Sequence, residues 1–420
     1  MRRRFFLTAA FAGWILLVPA QQVERVWEQH PFPAEYATVG TIYDIAFDKA
    51  GAVWVAIVTT EDIGVGGCKY ESGIWTEFRA TQHVHHGDND TVEEDRNEIG
   101  GYDNSSIAID YRGNVWFGSA YHGSCRLSGT TWKHITTVSG LASNTIQQIL
   151  PVRDTIWIAT NKGLSRFCND TIINHLAGKN VTCLAIDLSE NLWAGTSEGA
   201  YKFDGTTWSL PHLPIKGGTL ANNWFDALTL DAKGNIWAAI YDFGIYMYDG
   251  ETWSLQYSDK VNKFNCLAFD KKGHLWAGRF GGGGVWEFDG KSRMHYSTQY
   301  DSLLNNNVQS IAVNNDDGAV WLGSFGGLTK IYDRKVVNIS DIEWCDNIKI
   351  YPNPVQNQFT VSNIGDAIIS LYTVFGQKIE TYHSQNENIT IDASHLASGI
   401  YVLKITKDNK TRSFKISVVR

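Results

Sequence analysis

The chain has 420 residues, of which 43% are hydrophobic, 13% aromatic and only 19% charged, with 39 glycines and 16 tryptophans. That composition excludes a disordered chain and leaves ample apolar side chains for a large core. The net charge is −8, and setting aside the three arginines of the first twenty residues and the +2 of residues 345 to 420 leaves −13 on residues 21 to 344, which argues against nucleic acid as a partner.

Residues 1 to 20, MRRRFFLTAAFAGWILLVPA, have a basic start, an apolar middle and a small-residue end at Val18-Pro19-Ala20. This grammar predicts a cleaved secretory signal peptide. The apolar run from Phe5 to Ala20 is short for a membrane span, and no later segment is long and apolar enough, so no transmembrane anchor is expected after cleavage. The six cysteines, at 68, 125, 168, 183, 266 and 345, follow no zinc spacing, and buried free thiols are expected. Cys68 and Cys125 hold equivalent places in successive repeats, about one repeat apart, which argues against their pairing.

From residue 41 one pattern recurs: FDKAGAVWVA, IDYRGNVWFG, PVRDTIWIA, IDLSENLWAG, LDAKGNIWAA, FDKKGHLWAG and NNDDGAVWLG. Its tryptophans are Trp54, Trp116, Trp157, Trp193, Trp237, Trp276 and Trp321, and after the first interval of 62 they follow at 41, 36, 44, 39 and 45 residues. That period is the size of one four-stranded propeller blade. Within the fifth copy, WFDALTLD, IWAAIY, IYMYD and TWSLQY alternate as four strands separated by the turns AKGN, DFG and GE. The aspartate before the first turn (Asp48, Asp110, Asp187, Asp231, Asp270) can accept hydrogen bonds from turn amides, and the glycine (Gly51, Gly113, Gly234, Gly273, Gly318) can take a left-handed conformation. Seven copies are too many for one active site, so Asp, Gly and Trp are read as structural. The chain is expected to be all-β, a seven-bladed β-propeller over 21–344. Either ERVWEQH at 24–30, which looks like the fourth-strand segments TTWKHI and ETWSLQY, or DRKVVNIS at 333–340 would complete the last blade.

The long first interval carries an insertion in which His83, His85 and His86 precede Asp88, Asp90, Glu93, Glu94 and Asp95. These are nitrogen and oxygen donors, but their spacing matches no defined metal loop, and a solvated acidic insertion is the expectation; no metal site and no cofactor is assigned.

The DxxGxxW repeats, with entries such as LASNTI, LANNWF and LLNNNV, resemble the two-component regulator propeller repeat over about 41–340. That resemblance implies the propeller of periplasmic sensor domains or of free-standing exported proteins. The third copy lacks the turn glycine and the fourth has Glu190 there. No kinase, receiver or DNA-binding pattern is read after the propeller in these 420 residues, and the chain is not expected to be itself a signalling kinase.

After Asp341 the texture changes to IKIYPNPVQNQFTV, AIISLYTVFGQKIETY, ITIDASHLASGIYVLKIT and KTRSFKISVV, alternating strands about the size of a small Ig-like β-sandwich. Tyr351-Pro352-Asn353-Pro354 suits a boundary, and Gly376 and Gly399 are expected at hairpin turns. In order and spacing, YPNP, VFGQKI, LASGIYVLKI and a basic ending resemble the type A C-terminal sorting domain of the Bacteroidetes type IX secretion system. The resemblance implies that 345–420 engages that machinery, and that the protein ends outside the cell, on the surface or released, after crossing the periplasm.

In a propeller the loops from second to third strand and from blade to blade share one face around the central channel, where ligands generally bind. Here those loops are aromatic, and Tyr121, His122, Tyr241, Asp242, Phe243, Arg279, Phe280 and Phe325 are the candidate ligand-binding residues, offering flat apolar faces and polar anchors for a glycan or peptide. The alternative for the same residues is that they plug the channel. No nucleophile elbow, zinc-protease helix or isolated carboxylate pair is present, and no catalytic residue is assigned. A secreted lyase or hydrolase, with His122 as base and Arg279 as electrostatic partner, is the rival reading, since streptogramin lyase repeats also look like GNVWFG; an adhesive or structural surface protein is a third.

Overall fold

In the computed structural model the described residues are 23–335 and 348–420, without 60–62, 81–98, 102, 212–223, 259–262, 280, 300–302, 375 and 408–409. The signal segment, the acidic insertion with its histidines, Phe280 and Cys345 therefore lie outside the described residues.

All regular structure among the described residues is β-strand. Seven four-stranded antiparallel sheets follow one another, and blade one (Thr41–Phe47, Val53–Val58, Val65–Glu71 and Ile74–Arg79) sets the pattern. The last blade departs from sequence order: its outermost strand is Val23–Pro31, hydrogen-bonded beside Gly327–Lys335, Val320–Ser324 and Val308–Val313. The N-terminal ERVWEQH segment thus closes the ring, and the DRK of the other candidate segment extends that blade's third strand. Closure removes the exposed strand edges that an open stack would carry.

The repeated motif explains why each blade holds its shape. In the Asp48, Asp110, Asp187, Asp231 and Asp270 turns one carboxylate oxygen accepts backbone N–H groups, as Asp48 Oδ1 does from Ala50 and Ala52. The other oxygen accepts the indole N–H of the tryptophan six residues later, at 2.9 to 3.1 Å in all five. Where the turn glycine is missing, Arg153 and Glu190 adopt φ of 52° and 65°, the left-handed conformation a glycine takes without strain.

Each second-strand tryptophan packs on the next blade, as Trp193 does in a cluster with Phe225, Ile236 and Trp253 of blade five. In four blades a glycine two residues after it makes room, and in the other three an alanine stands there: a Cβ on Gly195 would lie 2.8 Å from Cβ of Phe225, and one on Gly278 3.2 Å from the carbonyl oxygen of Val308, the first residue of the following inner strand. The tryptophans are buried in six blades, whereas Trp237 of blade five is only half-buried.

Five described cysteines are free, and burial pushes the thiols of Cys68, Cys125, Cys183 and Cys266 up to about 12, where they are inert at neutral pH.

Chain contacts separate Arg25–Asp333 from a unit holding Arg334–Arg420. The latter is a β-sandwich with one sheet of Lys349–Tyr351, Gln358–Ser362 and Asn388–Asp392, and another of Lys378–Ser384, Ala367–Thr373, Gly399–Lys407 and Lys410–Val418. Its core includes Phe359, Ile369, Leu371, Leu403 and Ile416. Gly376 turns as expected, with φ 85° and its N–H on Thr373 O. Gly399 does not: it opens a strand and pairs with Val418, because the turn before it is made by residues 393 to 398.

Candidate functional site at the channel mouth

The site is built from the seven innermost strands. Each carries one extra residue near its start, a β-bulge, and the seven bulged residues are Tyr43, Ser105, Gln147, Thr182, Asp226, Asn265 and Gln309. A bulge turns its side chain out of the pleat, and here all seven line a single pocket of about 180 Å³ in the central channel. Every one is polar. The apolar residue before most of them, such as Ile146, Val181 or Phe225, points the other way, into the junction between blades.

Several of these residues stitch one inner strand to the next. Ser105 Oγ donates to Ile146 O at 2.8 Å, Asn265 Nδ2 to Gln309 Oε1 at 2.7 Å, and Thr182 Oγ1 to Phe225 O. Asp44, beside the first bulge, accepts from Ile107 N at 3.0 Å and Ser106 Oγ at 3.1 Å. Burial raises its carboxyl to about 6, against the pull of those hydrogen bonds.

Asp226 is the one acidic residue of the seven. No described donor hydrogen-bonds to its carboxylate, and burial, then the charge of Asp242, raise it to about 7, with Lys263 opposing. Lys263 Nζ lies 4.3 Å from the centroid of the Tyr241 ring and donates to its hydroxyl. A carboxyl group raised well above its usual range, with acceptor capacity that no described donor uses, thus sits in the channel near a tyrosine–lysine pair.

Strand register places the bulges at the same end as the second-to-third loops: Asn104 pairs with Ser119, and Phe225 with Ile240, the last residues before those loops. Tyr241, Asp242 and Phe243 follow Ile240 directly, and Asp242 takes a φ of 62°. Asp242 and Tyr241 meet Asp226 and Lys263 electrostatically, so these two lie near the channel lining, whereas Phe243 packs against the core cluster of Trp193, Phe225 and Trp253. Tyr121 is 65% exposed, and the Tyr121 and His122 amides donate to Ser119 Oγ, which donates to Asp103. Phe325 bridges to Thr41 across the closure of the ring. Arg279 ends the second strand of blade six, on the opposite side of the ring from His122. Sequence reasoning missed the bulge ring; its only trace there is a polar residue directly after the first inward-packing residue of each inner strand.

A second polar cluster lies in blade six, where Asp270, His274 and Glu287 bring ligand atoms within 4.8 Å of one another. It already holds a cation. Arg25 of the closing strand donates to Glu287 at 2.5 and 3.1 Å and to the Tyr296 hydroxyl at 2.8 Å, while His274 Nδ1 contacts Glu287 at 2.7 Å.

Residues 349–419 match the family described as Secretion system C-terminal sorting domain. The tail is a sorting domain. It marks this protein for export by the type IX secretion system to the cell surface or the extracellular space. Among the described residues no helix is long and apolar enough to cross a membrane.

No curated protein matches the chain. Solved structures give the fold. PorZ, a surface component of the type IX secretion system of Porphyromonas gingivalis, is 16% identical, with a TM-score of 0.52 over 90% of this chain and 59% of that one. The extracellular domain of the putative hybrid two-component system BT3049 from B. thetaiotaomicron is 15% identical, with a TM-score of 0.55 over 93% and 57%. YCF48 bound to D1 peptide is 16% identical, with a TM-score of 0.53 over 75% and 96%. The chain spans less than two thirds of the first two proteins. At these identities the likeness is one of fold.

Proposed function

We propose that this exported propeller is a recognition module that binds a glycan or peptide at the channel mouth. The observation that supports this most directly is Asp226, a carboxylate in the channel whose acceptor capacity no described donor uses, beside the Tyr241–Lys263 pair. Hydroxyl groups of a sugar or amides of a peptide would donate to Asp226, and Tyr241, Phe243 and Phe325 would offer flat apolar faces for the ligand body. Tyr121, His122, Asp242, Arg279 and Phe280 complete the proposed rim. The extents 1–20 for the signal, 21–344 for the propeller and 345–420 for the sorting region are part of this reading, as is contact between 345–420 and the secretion machinery.

The test is an array of surface glycans and peptides probed with the full chain and with Tyr241→Ala. Ligands retained by the parent and lost by the variant support recognition at the mouth. Retention of every ligand by the variant would remove Tyr241 from it.

A further inference from the structure

A wider concavity lies away from the mouth, between blades five and six. It encloses about 650 Å³, and its walls are the rings of Trp237, Tyr257, Phe269 and Phe288. Lys233, Lys291 and Arg293 stand at its edge. It is bordered by the turns after Asp231 and around Gly273 and Gly290, which join first to second and third to fourth strands and so lie at the end of the ring opposite the mouth.

Its origin is visible in the strand register. The fourth strand of a blade places one residue opposite an apolar third-strand residue: Trp75 opposite Tyr70, Trp132 opposite Leu127, Ile172 opposite Phe167, Trp208 opposite Phe203 and Trp253 opposite Tyr248. Each joins the cluster that holds the preceding blade's second-strand tryptophan, and Trp27 of the closing strand does the same for Trp276. In blade six the corresponding position, opposite Phe288, is Arg293. Its guanidinium lies over Tyr257 at 5.0 Å and over Trp286 at 5.5 Å from the ring centroids instead of capping Trp237, and Trp237 stays partly exposed. Opposite Trp237 on the third strand stands Met247, where five other blades place a lysine or arginine over the indole.

The groove therefore includes the place that a fourth-strand aromatic ring fills at other junctions, and it is wide enough to take the residues on either side of such a ring as well. Its rim is cationic on a propeller whose net charge is strongly negative, and none of Lys233, Lys291 and Arg293 pairs with a carboxylate among the described residues. The carboxylate in the groove, Asp231, is occupied by its own turn and by the Trp237 indole at 3.1 Å.

We infer that the groove between blades five and six is a docking site for an acidic protein segment carrying one aromatic residue. The aromatic ring takes the place that a fourth-strand tryptophan takes at other junctions, against Trp237 and Phe269, and the flanking carboxylates pair with Lys233, Lys291 and Arg293. This stands independently of the mouth.

The test titrates the full chain into a fluorescein-labelled seven-residue peptide with a central tryptophan flanked by three aspartates on each side, read by anisotropy. Saturable binding is expected, weakened at least about tenfold by Lys233→Glu with Lys291→Glu and by Arg293→Trp, and unchanged by Tyr241→Ala. Arg293→Trp supplies the missing cap, and the double lysine variant alters only exposed side chains, so one of the two remains readable if the other fails to fold. No saturation up to about 1 mM, equal binding of the peptide with alanine at its centre, or undiminished binding by both variants would overturn the assignment.

Discussion

Arg25 and Glu287 stand 262 residues apart in the chain, and their side chains meet at 2.5 Å. Arg25 comes from the strand that closes the ring and Glu287 from the third strand of blade six, where other blades place a cation opposite the core tryptophan. Glu287, like Met247 in blade five, departs from that pattern, and Arg25 restores the cation from outside, its guanidinium 5.5 Å from the Trp276 centroid. The contact ties the N-terminal strand to the blade before the one it completes.

Arg25→Ala is expected to destabilise the propeller by about 3 to 5 kcal/mol, because it leaves a buried carboxylate without its partner. Burial opposes ionisation of Glu287, but hydrogen bonds from Arg25, Tyr296 and His274 outweigh it and hold the carboxyl below its usual value of 4.5. A lowered folded pKa means stability that is present above pH 4.5 and lost as pH falls through the folded value, so the parent should lose this contribution in acid. Denaturant titrations at pH 7 and pH 3 check both statements: the gap between parent and variant narrows at the lower pH.

Two tryptophans separate the hydrogen bond from the ring. Trp116 donates to Asp110 at 3.0 Å, while the Trp321 indole nitrogen is buried with no partner, because its turn is one residue longer and Asn314 replaces the aspartate. Trp116→Phe should cost about 1 to 3 kcal/mol more than Trp321→Phe, since only the first removes a hydrogen bond to a carboxylate, leaving Asp110 Oδ2 with Asn114 Nδ2 alone. Chemical denaturation of the two variants measures the difference.

The glycine two residues after the tryptophan reports close approach of neighbouring blades. Gly278→Val adds a branched side chain where even a Cβ falls 2.3 Å from Cys266 Sγ, and a loss of about 1 to 3 kcal/mol is expected. Gly51→Ala is the contrast: nothing lies within 4 Å, but φ is 86°, so its cost is backbone strain alone. Thermal midpoints of the two variants against the parent rank the effects.

Much of this was legible in the sequence because it recurs. The turn aspartate, the glycine and the tryptophan appear in copy after copy, and the likeness of ERVWEQH to TTWKHI and ETWSLQY made it one of two candidates for the strand that closes the ring, between which pairing decides. The bulges were not legible, since a bulge is a property of pairing: WFDALTLD reads as plain alternation until Phe225 and Ala227 are seen opposite consecutive residues, Ile240 and Ala239. The vacancy beside Trp237 escaped for another reason. Arg293 is an ordinary exposed arginine until register sets it at the position of Trp253.

Asp226 should announce itself through pH. Its carboxyl is raised to about 7 by burial and by Asp242, so its contribution to stability is complete below pH 3.8 and is lost as pH rises through 7. Asp226→Asn is therefore expected to raise the unfolding midpoint at pH 8 and to leave it unchanged near pH 3.5; a midpoint shift independent of pH would show that Asp226 is not strained by ionisation.

Recognition at the channel mouth, as proposed above, would run through Asp226 and Tyr241. The measurement that tests it most directly is the thermal midpoint of the full chain with each array-positive glycan or peptide, for the parent, Asp226→Asn and Tyr241→Ala. A ligand that binds only the folded state raises the midpoint. A rise in the parent that is lost in both variants is expected; an equal rise in all three would place recognition away from Asp226 and Tyr241.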